Sequence, residues 1–390
     1  MKWGAAPLEV VAPARGSDRR FKPDELVWHL TLDQIEAHTG RVLEKIQRPF
    51  AEAGTSTFVF DNRNVLYSKL RPYLNKVVCP AEPGVATTEL VPLRPDPRVL
   101  DRNFLAYYLR SPRFLAFASS TVAGVKMPRI IMGKLWEHEI PLPPLSEQRR
   151  IVEILDQADA LRKKRAEADA KAARILPALF CKMFGDPATN PKGLTQARLG
   201  DVLRVRSGEF LPSRNMEMGG KIPVFGGNGI NGYHTRALLD GPVVIIGRVG
   251  VYCGSVYYCE SACWVTDNAL YVAEHDERLH PRYLAEALRM ANLNAYAGRA
   301  GQPLISGSRI YPVKILVPKW TQQLQFAKAA EEINRLHVIL RAIDDSFDRL
   351  VMVSLHRAFS GELTARWREA HMKELLAEME AQSKLLEAVR

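Results

Sequence analysis

The chain has 390 residues, of which 47% are hydrophobic and 25% are charged, and its formal net charge is +11. This length exceeds the usual size of a domain with a single hydrophobic core, so two or more domains are predicted. The composition excludes disorder of the whole chain. No apolar run approaches the roughly 18 residues of a membrane-spanning helix, so no membrane partner is expected. The start lacks the regions of a secretory signal and the five cysteines are an odd number for disulfides, so we expect a cytoplasmic protein with reduced thiols. The excess of Lys and Arg favours a polyanionic partner such as nucleic acid.

An internal repeat with a shift of about 175 to 180 residues organises the chain. Each copy contains a strand-like apolar run that ends in a small residue and a base, then a second matching segment, and then a turn and a helix. The matching segments are 65–70 with 244–249, 87–91 with 266–270, and 102–110 with 281–289. Each copy then passes a glycine-containing loop and a short strand, and reaches Pro143 or Pro318 before a long helix.

The two long helices align without a gap. Apolar or small residues recur along both at the spacing of one helical face, at 151, 154, 155, 158 and 161 and at 326, 329, 330, 333 and 336. Ala168 occupies the place that Ile343 holds in the second helix. This complementarity of small and large side chains favours antiparallel pairing of the two helices. Pro177 predicts a kink or a break in the first helix.

The predicted fold class is α+β. It consists of two mixed α/β domains in a pseudo-twofold arrangement, separated by two long antiparallel coiled-coil helices. The predicted boundaries are 1–140 for the first domain, 141–185 for the first spacer helix, 186–318 for the second domain, 319–362 for the second spacer helix and 363–390 for a C-terminal helical tail.

This order of motifs resembles the specificity subunits of type I restriction-modification systems. The boundary PLPPLSEQ at 141–148 runs directly into the first long helix. Further matches in the expected order are LRPYL at 70–74, LGDV at 199–202, IPVFGGNGINGY at 222–233 and GELT at 361–364. The resemblance covers essentially the whole chain. It implies that each domain is a target-recognition domain that reads one half of an interrupted double-stranded DNA target.

The resemblance also implies partner subunits. The helices would space the two domains and dock methyltransferase (modification) subunits, and a restriction subunit, the ATP-dependent translocase, would join for cleavage. The residues expected to take part in docking are Pro143, Pro144, Glu147 and Gln148. The second boundary, PKWTQQ at 318–323, lacks the doubled proline and the Glu, which weakens the inference there.

The two domains differ before the shared strand, because segment 16–62 has no counterpart to the glycine-rich segment 226–232. Unlike surfaces should read unlike half-sites, so we expect an asymmetric bipartite target. Basic and other polar side chains on loops are the candidates for DNA contact, because cations bind phosphates and side-chain donors form hydrogen bonds with the edges of nucleobases. The candidates are Lys69, Arg71, Tyr73, Lys126 and Arg129 in the first domain and Asn228, Asn231, His234, Arg248, Tyr252, Arg299, Gln302, Ser306 and Arg309 in the second. A solvated charge or a loop-stabilising amide is the alternative for any one of them.

Motifs for catalysis, cofactors and metals are incomplete. The glycine pattern at 227–232 fits a nucleotide or methyl-donor loop, but no helical stripe follows it, and a glycine-rich hairpin fits better. Cys253, Cys259 and Cys263 lack the paired spacing of a zinc site. Methyltransferase and phosphate-loop motifs are absent from the sequence. We therefore expect a non-catalytic chain with no metal and no cofactor of its own.

Two other functions stay open. One is a DNA-recognition subunit of a stand-alone methyltransferase or of another phage-defence complex. The other is a coiled-coil scaffold without a role on DNA. A self-contained methyltransferase or nuclease is disfavoured by the missing motifs.

Overall fold

The computed structural model describes residues 3–217, 219–298 and 303–389, without the side chains of 341–346, 348, 388 and 389. The chain divides into two compact units. Unit 1 is Met1–Arg165 together with Asp344–Arg390, and unit 2 is Ala166–Ile343. None of the described helices is long and apolar enough to cross a membrane.

The N-terminal part of unit 1 contains eleven strands and four helices among the described residues. In chain order they are β1 (Gly4–Pro7), α1 (Leu8–Val11), β2 (Leu26–Leu30), β3 (Ile46–Pro49), β4 (Thr57–Phe60), β5 (Val65–Ser68), β6 (Val77–Val78), β7 (Gly84–Thr87), β8 (Leu90–Leu93), α2 (Arg102–Arg110), α3 (Pro112–Ser120), β9 (Val122–Ala123), β10 (Arg129–Ile130), α4 (Met132–Trp136) and β11 (Glu139–Leu142). Two long-helix segments follow, α5 (Leu145–Ala172) and α6 (Ile175–Phe184).

The second half of the chain repeats this order with fewer strands. Its elements are β12 (Gln196–Arg198), α7 (Leu199–Val202), β13 (Leu203–Ser207), β14 (Ile222–Gly226), β15 (Gly229–His234), β16 (Val243–Gly247), β17 (Val256–Cys259), β18 (Trp264–Val265), β19 (Ala269–His275), α8 (Pro281–Met290), α9 (Gly307–Ile310) and β20 (Lys314–Leu316). The chain ends with α10 (Trp320–Ser360), α11 (Ala365–Ala370) and α12 (Met372–Val389).

Both units contain the same antiparallel three-strand arrangement. In unit 1, β5 lies between β6 and β8, and in unit 2, β16 lies between β17 and β19. The register is also the same, because Ser68 faces Leu90 in unit 1 and Gly247 faces Ala269 in unit 2. The central strands β5 and β16 are buried along their whole length, which explains their continuous apolar runs. The internal repeat that the sequence predicts is thus confirmed at the level of strand register.

The matching helices α2 and α8 begin and end where the repeat predicts, to within one residue. Each begins at a side chain that accepts backbone N–H groups of the first turn. Asp101 accepts from Asn103 and Phe104, and the His280 ring accepts from Arg282. Such caps satisfy donors that have no partner inside the helix.

Both domains also begin with the same elements. The sequence motif for this start is found only in the second domain, at 199–202. Strand β1 pairs with β11, and β12 pairs with β20. The N–H of Leu8 then donates to His138 O at 2.9 Å, and the N–H of Leu199 donates to Val313 O at 2.8 Å. The short helices α1 and α7 follow at equivalent places.

The first spacer helix is broken, as Pro177 predicts. Helix α5 ends at Ala172, α6 begins at Ile175, and Pro177 lies in the first turn of α6. A proline in the first turn costs no intrahelical hydrogen bond, because the N–H groups there have no acceptor within the helix. The C-terminal tail, predicted as one helix, forms two, α11 and α12.

The ends of the long helices are buried within their own units. In unit 1, Ile151 and Leu155 belong to the same hydrophobic core as Leu355 and Phe359. In unit 2, the Phe180 and Phe184 rings of α6 lie 5.7 and 5.6 Å from the Phe326 ring of α10. The predicted facing of Ala168 and Ile343 lies outside the described side chains.

A buried glutamine joins α5 to unit 1. Gln148 accepts the backbone N–H of Asp101 at 2.7 Å and donates its amide hydrogens to Val99 O and Pro143 O, both at 2.8 Å. These three bonds tie the first turn of α5 to the residue that caps α2. We call this arrangement the unit 1 clamp.

Gln323 forms the equivalent unit 2 clamp at the start of α10. It accepts the N–H of His280 at 2.9 Å and donates to Arg278 O and Pro318 O, both at 2.8 Å. Both glutamines have no exposed surface. The repeat therefore extends from strand register to individual side-chain hydrogen bonds.

The C-terminal tail packs against unit 1 at its clamp. Gln382 of α12 donates to the same two carbonyl oxygens as Gln148, at 3.1 and 3.4 Å. The Glu378 carboxylate accepts the backbone N–H and the hydroxyl of Ser146 at 3.1 and 2.9 Å. This carboxylate satisfies a free donor at the positive end of the α5 dipole.

Replacing Gln323 by Leu should lower the stability of unit 2 by about 3 kcal/mol, because one buried N–H and two buried carbonyl groups lose their partner. Urea unfolding of the full chain, followed by tryptophan fluorescence, measures the effect. Gln325→Leu is the matched control, since Gln325 is exposed on the same helix. Equal unfolding midpoints for the two variants would show that the clamp adds nothing to stability.

Candidate nucleic-acid interface

The candidate residues of unit 1 come together at one turn and one loop. The unit 1 turn, residues 69–75, follows β5, and the loop 124–128 joins β9 to β10. The N–H of Ile130 donates to Lys69 O at 2.9 Å, and the N–H of Arg71 donates to Pro128 O at 2.7 Å. These bonds join the unit 1 turn, which contains Lys69, Arg71 and Tyr73, to the end of the loop that contains Lys126.

The unit 2 turn, residues 248–254, is held in the same way. The N–H of Ile305 donates to Arg248 O at 2.9 Å, and the N–H of Gly250 donates to Pro303 O at 3.1 Å. Tyr252 then occupies the place of Tyr73, and the two tyrosines are 50% and 47% exposed. The sequence-based pairing of Lys69 with Arg248 and of Tyr73 with Tyr252 is therefore confirmed as a structural equivalence.

Arg129 does not offer the free guanidinium that its place in a loop predicts. It lies in the short strand β10, and its Nε and Nη2 donate to the Glu89 carboxylate at 2.7 to 3.2 Å. The Arg129 hydrogen bonds lower the pKa of Glu89. Sequence spacing could not reveal this pair, because Glu89 lies far away along the chain.

The glycine-rich segment of unit 2 forms a hairpin. Strands β14 and β15 pair antiparallel from Ile222↔His234 to Gly226↔Gly229, and no helix follows. A Cβ atom on Gly227 would lie 3.1 and 3.2 Å from backbone oxygens of Asn268 and Val249, so only glycine allows this approach to the unit 2 turn without displacing backbone. The hairpin prediction is confirmed, and the strand-to-helix geometry of a nucleotide loop is not formed.

The three polar candidates of this hairpin have different surroundings. Asn228, in the turn, and Asn231, on β15, are exposed. The side chain of His234 is only 13% exposed, its Nδ1 accepts the N–H of Thr235, and its ring lies 5.5 Å from Trp264. The His234 side chain therefore packs within unit 2, and its role in reading bases stays a prediction.

The surroundings of Arg248 include functional candidates that sequence reasoning missed. Its Nη1 donates to Ser207 Oγ at 3.0 Å and to Asp267 O at 3.3 Å. The Arg248 Nε and the Asp267 Oδ1 are buried without a hydrogen-bond partner among the described residues. The repeat signalled Asp267, which matched Thr88, but nothing in the sequence pointed to Ser207.

The remaining candidates of unit 2 lie near α9. Ser306 precedes this helix and its Oγ lies 2.9 Å from the Ser308 hydroxyl, while Arg309 is exposed on the helix. Arg299 and Gln302 lie outside the described residues.

The four residues expected to dock partner subunits have buried side chains, so the structure gives them a packing role in unit 1 and their docking role stays a prediction. Pro143 and Pro144 are buried, and Glu147 and Gln148 have no exposed surface. Gln148 forms the unit 1 clamp, and the Glu147 carboxylate accepts from three groups of unit 1. These donors are Trp3 Nε1 at 3.0 Å, the Thr364 hydroxyl at 2.6 Å and Arg368 Nε at 2.7 Å.

The three neighbouring cysteines fall into two different hydrophobic cores. Cys253 packs with the α8 core of unit 2, whereas Cys259 and Cys263 belong to the smaller core below the hairpin. The described residues contain no group of three or more His, Cys, Asp and Glu side chains that could hold a metal ion.

A duplicated α/β unit, with the same basic turn in both copies but a different neighbouring surface, is the architecture of a two-domain recognition protein. The family model of the type I restriction modification DNA specificity domain matches residues 50–169 and 191–340, one match in each copy and more than half of the chain. The chain belongs to the DNA specificity subunits of type I restriction-modification systems.

Individual relatives agree with the family. The EcoprrI specificity subunit of Escherichia coli is 29% identical over 142 residues, which span only 35% of this chain and 35% of that relative's length. The EcoKI specificity subunit of Escherichia coli strain K12 is 23% identical over 343 residues, covering 76% of this chain and 73% of that protein.

Solved structures share the fold. The S subunit of a type I system from M. genitalium superposes with a TM-score of 0.59 at 15% identity, over 92% of this chain and 96% of that chain. A chain from a study of type I system assembly gives 0.58 at 19% identity, over 93% and 98%.

Replacing Glu89 by Gln should strengthen retention of nonspecific duplex DNA by about three- to tenfold at 0.1 M salt. The change frees Arg129 and removes a negative charge beside Lys69, which adds roughly one phosphate contact. Fluorescence anisotropy with a labelled duplex measures it. Glu137→Gln, which removes the carboxylate paired with Lys134 on α4, is the matched control. Identical affinities for both variants would contradict placement of this surface against DNA.

Proposed function

We propose that this specificity subunit reads an asymmetric bipartite DNA target, with one half-site for each unit, and has no catalytic centre or cofactor of its own. The observation that carries the proposal is the repeat of turn and clamp beside unlike neighbouring strands. A shared framework would present both units to DNA in the same way, while the unlike surfaces would prefer different bases. We further propose that the chain acts in the cytoplasm.

The proposed architecture is two target-recognition domains in a pseudo-twofold arrangement, spaced by α5–α6 and α10 as an antiparallel coiled coil. Two observations, each made within one unit, support it. In unit 1 the start of α5 shares a core with the end of α10, and in unit 2 the end of α6 packs on the start of α10. The domain limits 1–140 and 186–318, with the helical segments between and after them, belong to this proposal.

Docking of methyltransferase subunits, and of a restriction subunit with them, is proposed to use the exposed apolar side chains of α10. Val338 and Ile339 in unit 2 are 68% and 57% exposed. Met352 and Val353 in unit 1 are 51% and 50% exposed. Neighbouring apolar side chains in water favour a protein partner. This surface is a docking candidate in addition to the buried boundary motif.

The positions of methylated bases in the genome test the proposal that the DNA target is bipartite. We expect co-expression with the neighbouring methyltransferase, followed by genome-wide mapping of methylated adenines and cytosines, to give two unlike short half-sites separated by a fixed nonspecific gap. Omitting this chain should abolish the pattern and serves as the control. A short continuous palindrome would contradict the bipartite proposal, and methylation that persists without this chain would favour the scaffold alternative.

Placing a charge on the exposed face of α10 tests docking. Ile339→Asp should lower co-purification of the methyltransferase subunit at least about tenfold, because an unpaired carboxylate would be buried at the contact. The thermal midpoint of the free chain should not change, since Ile339 is exposed. Gln325→Asp adds the same charge at another exposed place on α10 and is the control. Undiminished co-purification of Ile339→Asp would remove this face from the docking surface.

A further inference from the structure

The two turns share backbone conformation as well as hydrogen bonds. In unit 1, Arg71 and Asn75 have positive φ angles of +49° each. In unit 2, the equivalent residues are Gly250 and Gly254, with φ angles of +80° and +88°. Both turns also begin with the same bond, because the N–H of the basic residue that opens each turn donates to a backbone oxygen at 3.0 Å.

Arg71 is an unfavourable residue for its backbone. The left-handed region is strained for a residue with a Cβ atom and free of that strain for glycine, which the other copy uses at the same place. The Arg71 side chain is exposed and forms no hydrogen bond or ion pair among the described residues. The fold of the described residues therefore has no evident use for this guanidinium, and strain retained without a structural benefit is typical of functional positions.

The surroundings of the two turns differ. Beside the unit 2 turn lies the β14–β15 hairpin with Asn228 and Asn231. Unit 1 has instead a four-stranded sheet of order β3-β2-β7-β4. Gly250 stands at the place of Arg71 in unit 2, so the two turns share their backbone conformation, their opening cation and their exposed tyrosine. Features that are the same in both units cannot distinguish two different half-sites, so we expect the shared turns to contact what every half-site has in common.

We propose that the two turns are sequence-neutral grips on the phosphodiester backbone, and that Arg71 is a positioning residue whose cation binds a phosphate. The inference rests on the proposed function and divides its surface into two parts. Lys69, Arg71 and Tyr73 in unit 1, and Arg248 and Tyr252 in unit 2, hold register on the backbone. Base choice belongs to the unlike parts, which in unit 2 include Asn228.

The test uses the full chain in complex with its methyltransferase subunits. Duplexes carry the mapped target, or the same target with one half-site scrambled. Arg71→Gly should weaken binding to both duplexes by the same factor, about three- to tenfold at 0.1 M salt, and lower the slope of log K against log salt by about 1. Its thermal midpoint should equal or exceed that of the unmodified chain, because glycine relieves the left-handed backbone. Arg71→Lys should keep the salt slope.

Asn228→Ala is the contrasting control. It should change the preference for the intact over the scrambled unit 2 half-site and leave the salt slope unchanged. The inference is overturned if Arg71→Gly changes the preference at one half-site more than about fivefold, or if Arg71→Gly and Arg71→Lys both lower the thermal midpoint. Failure of the unmodified complex to prefer its mapped target would instead defeat the proposed function, so the two failures are distinguishable.

Discussion

In each unit the start of the long helix depends on one buried glutamine, Gln148 or Gln323, whose amide groups are all hydrogen-bonded. A glutamine side chain has two donor hydrogens and an acceptor oxygen, and in each clamp all of these are used by backbone groups. Because the amide is planar and every buried partner would be costly to leave unpaired, the first turn of the long helix can hold only one orientation against its domain. The direction in which each long helix leaves its domain is therefore set by Gln148 and Gln323.

The two clamps have equivalent hydrogen bonds, but the residue before the glutamine differs between them, Glu147 in unit 1 and Gln322 in unit 2. Glu147 precedes Gln148 and is fully buried, which is tolerable for a carboxylate only where charged and polar donors surround it. Arg368 and Thr364, both in the C-terminal region, supply that environment in unit 1. The described residues of unit 2 include no equivalent tail segment, and there the matching residue is Gln322, which needs no charged partner. The Glu of the first boundary therefore matches the donors that the tail supplies in unit 1.

Periodicity and repeat spacing predicted most of the framework. The shift between copies located the buried strands and the helices α2 and α8, and Pro177 located the break before α6, since these depend on local patterns along the chain. Burial at the boundary was not predictable in the same way. Pro143 and its neighbours form a distinct motif, and a distinct motif is equally typical of a docking surface and of a crowded junction. Only the packing of the tail, more than 200 residues away, shows that this junction is crowded.

At the candidate interface, too, the backbone framework was predictable from the sequence and the surroundings of the side chains were not. Equivalence of Lys69 with Arg248 followed from the alignment of the copies, because the turn is set by local backbone geometry. The state of each side chain did not follow, since Glu89 engages Arg129 and Trp264 shields His234 from across each unit. Long-range partners of this kind leave no signal in spacing or composition.

Unlike segments can nonetheless be attached at the same place in the framework. Segment 16–62 and the glycine-rich hairpin share no sequence pattern. Each nevertheless contributes one parallel partner to the strand that comes just before β8 in unit 1 or β19 in unit 2. In unit 1, β2 pairs with β7, which precedes β8, and in unit 2, β14 pairs with β18, which precedes β19. The ladder hydrogen bonds of each pair join backbone groups, so the pairing itself does not require matching side chains in the two units. The two units therefore keep the same registers and clamps although the strands attached to them differ in length and composition.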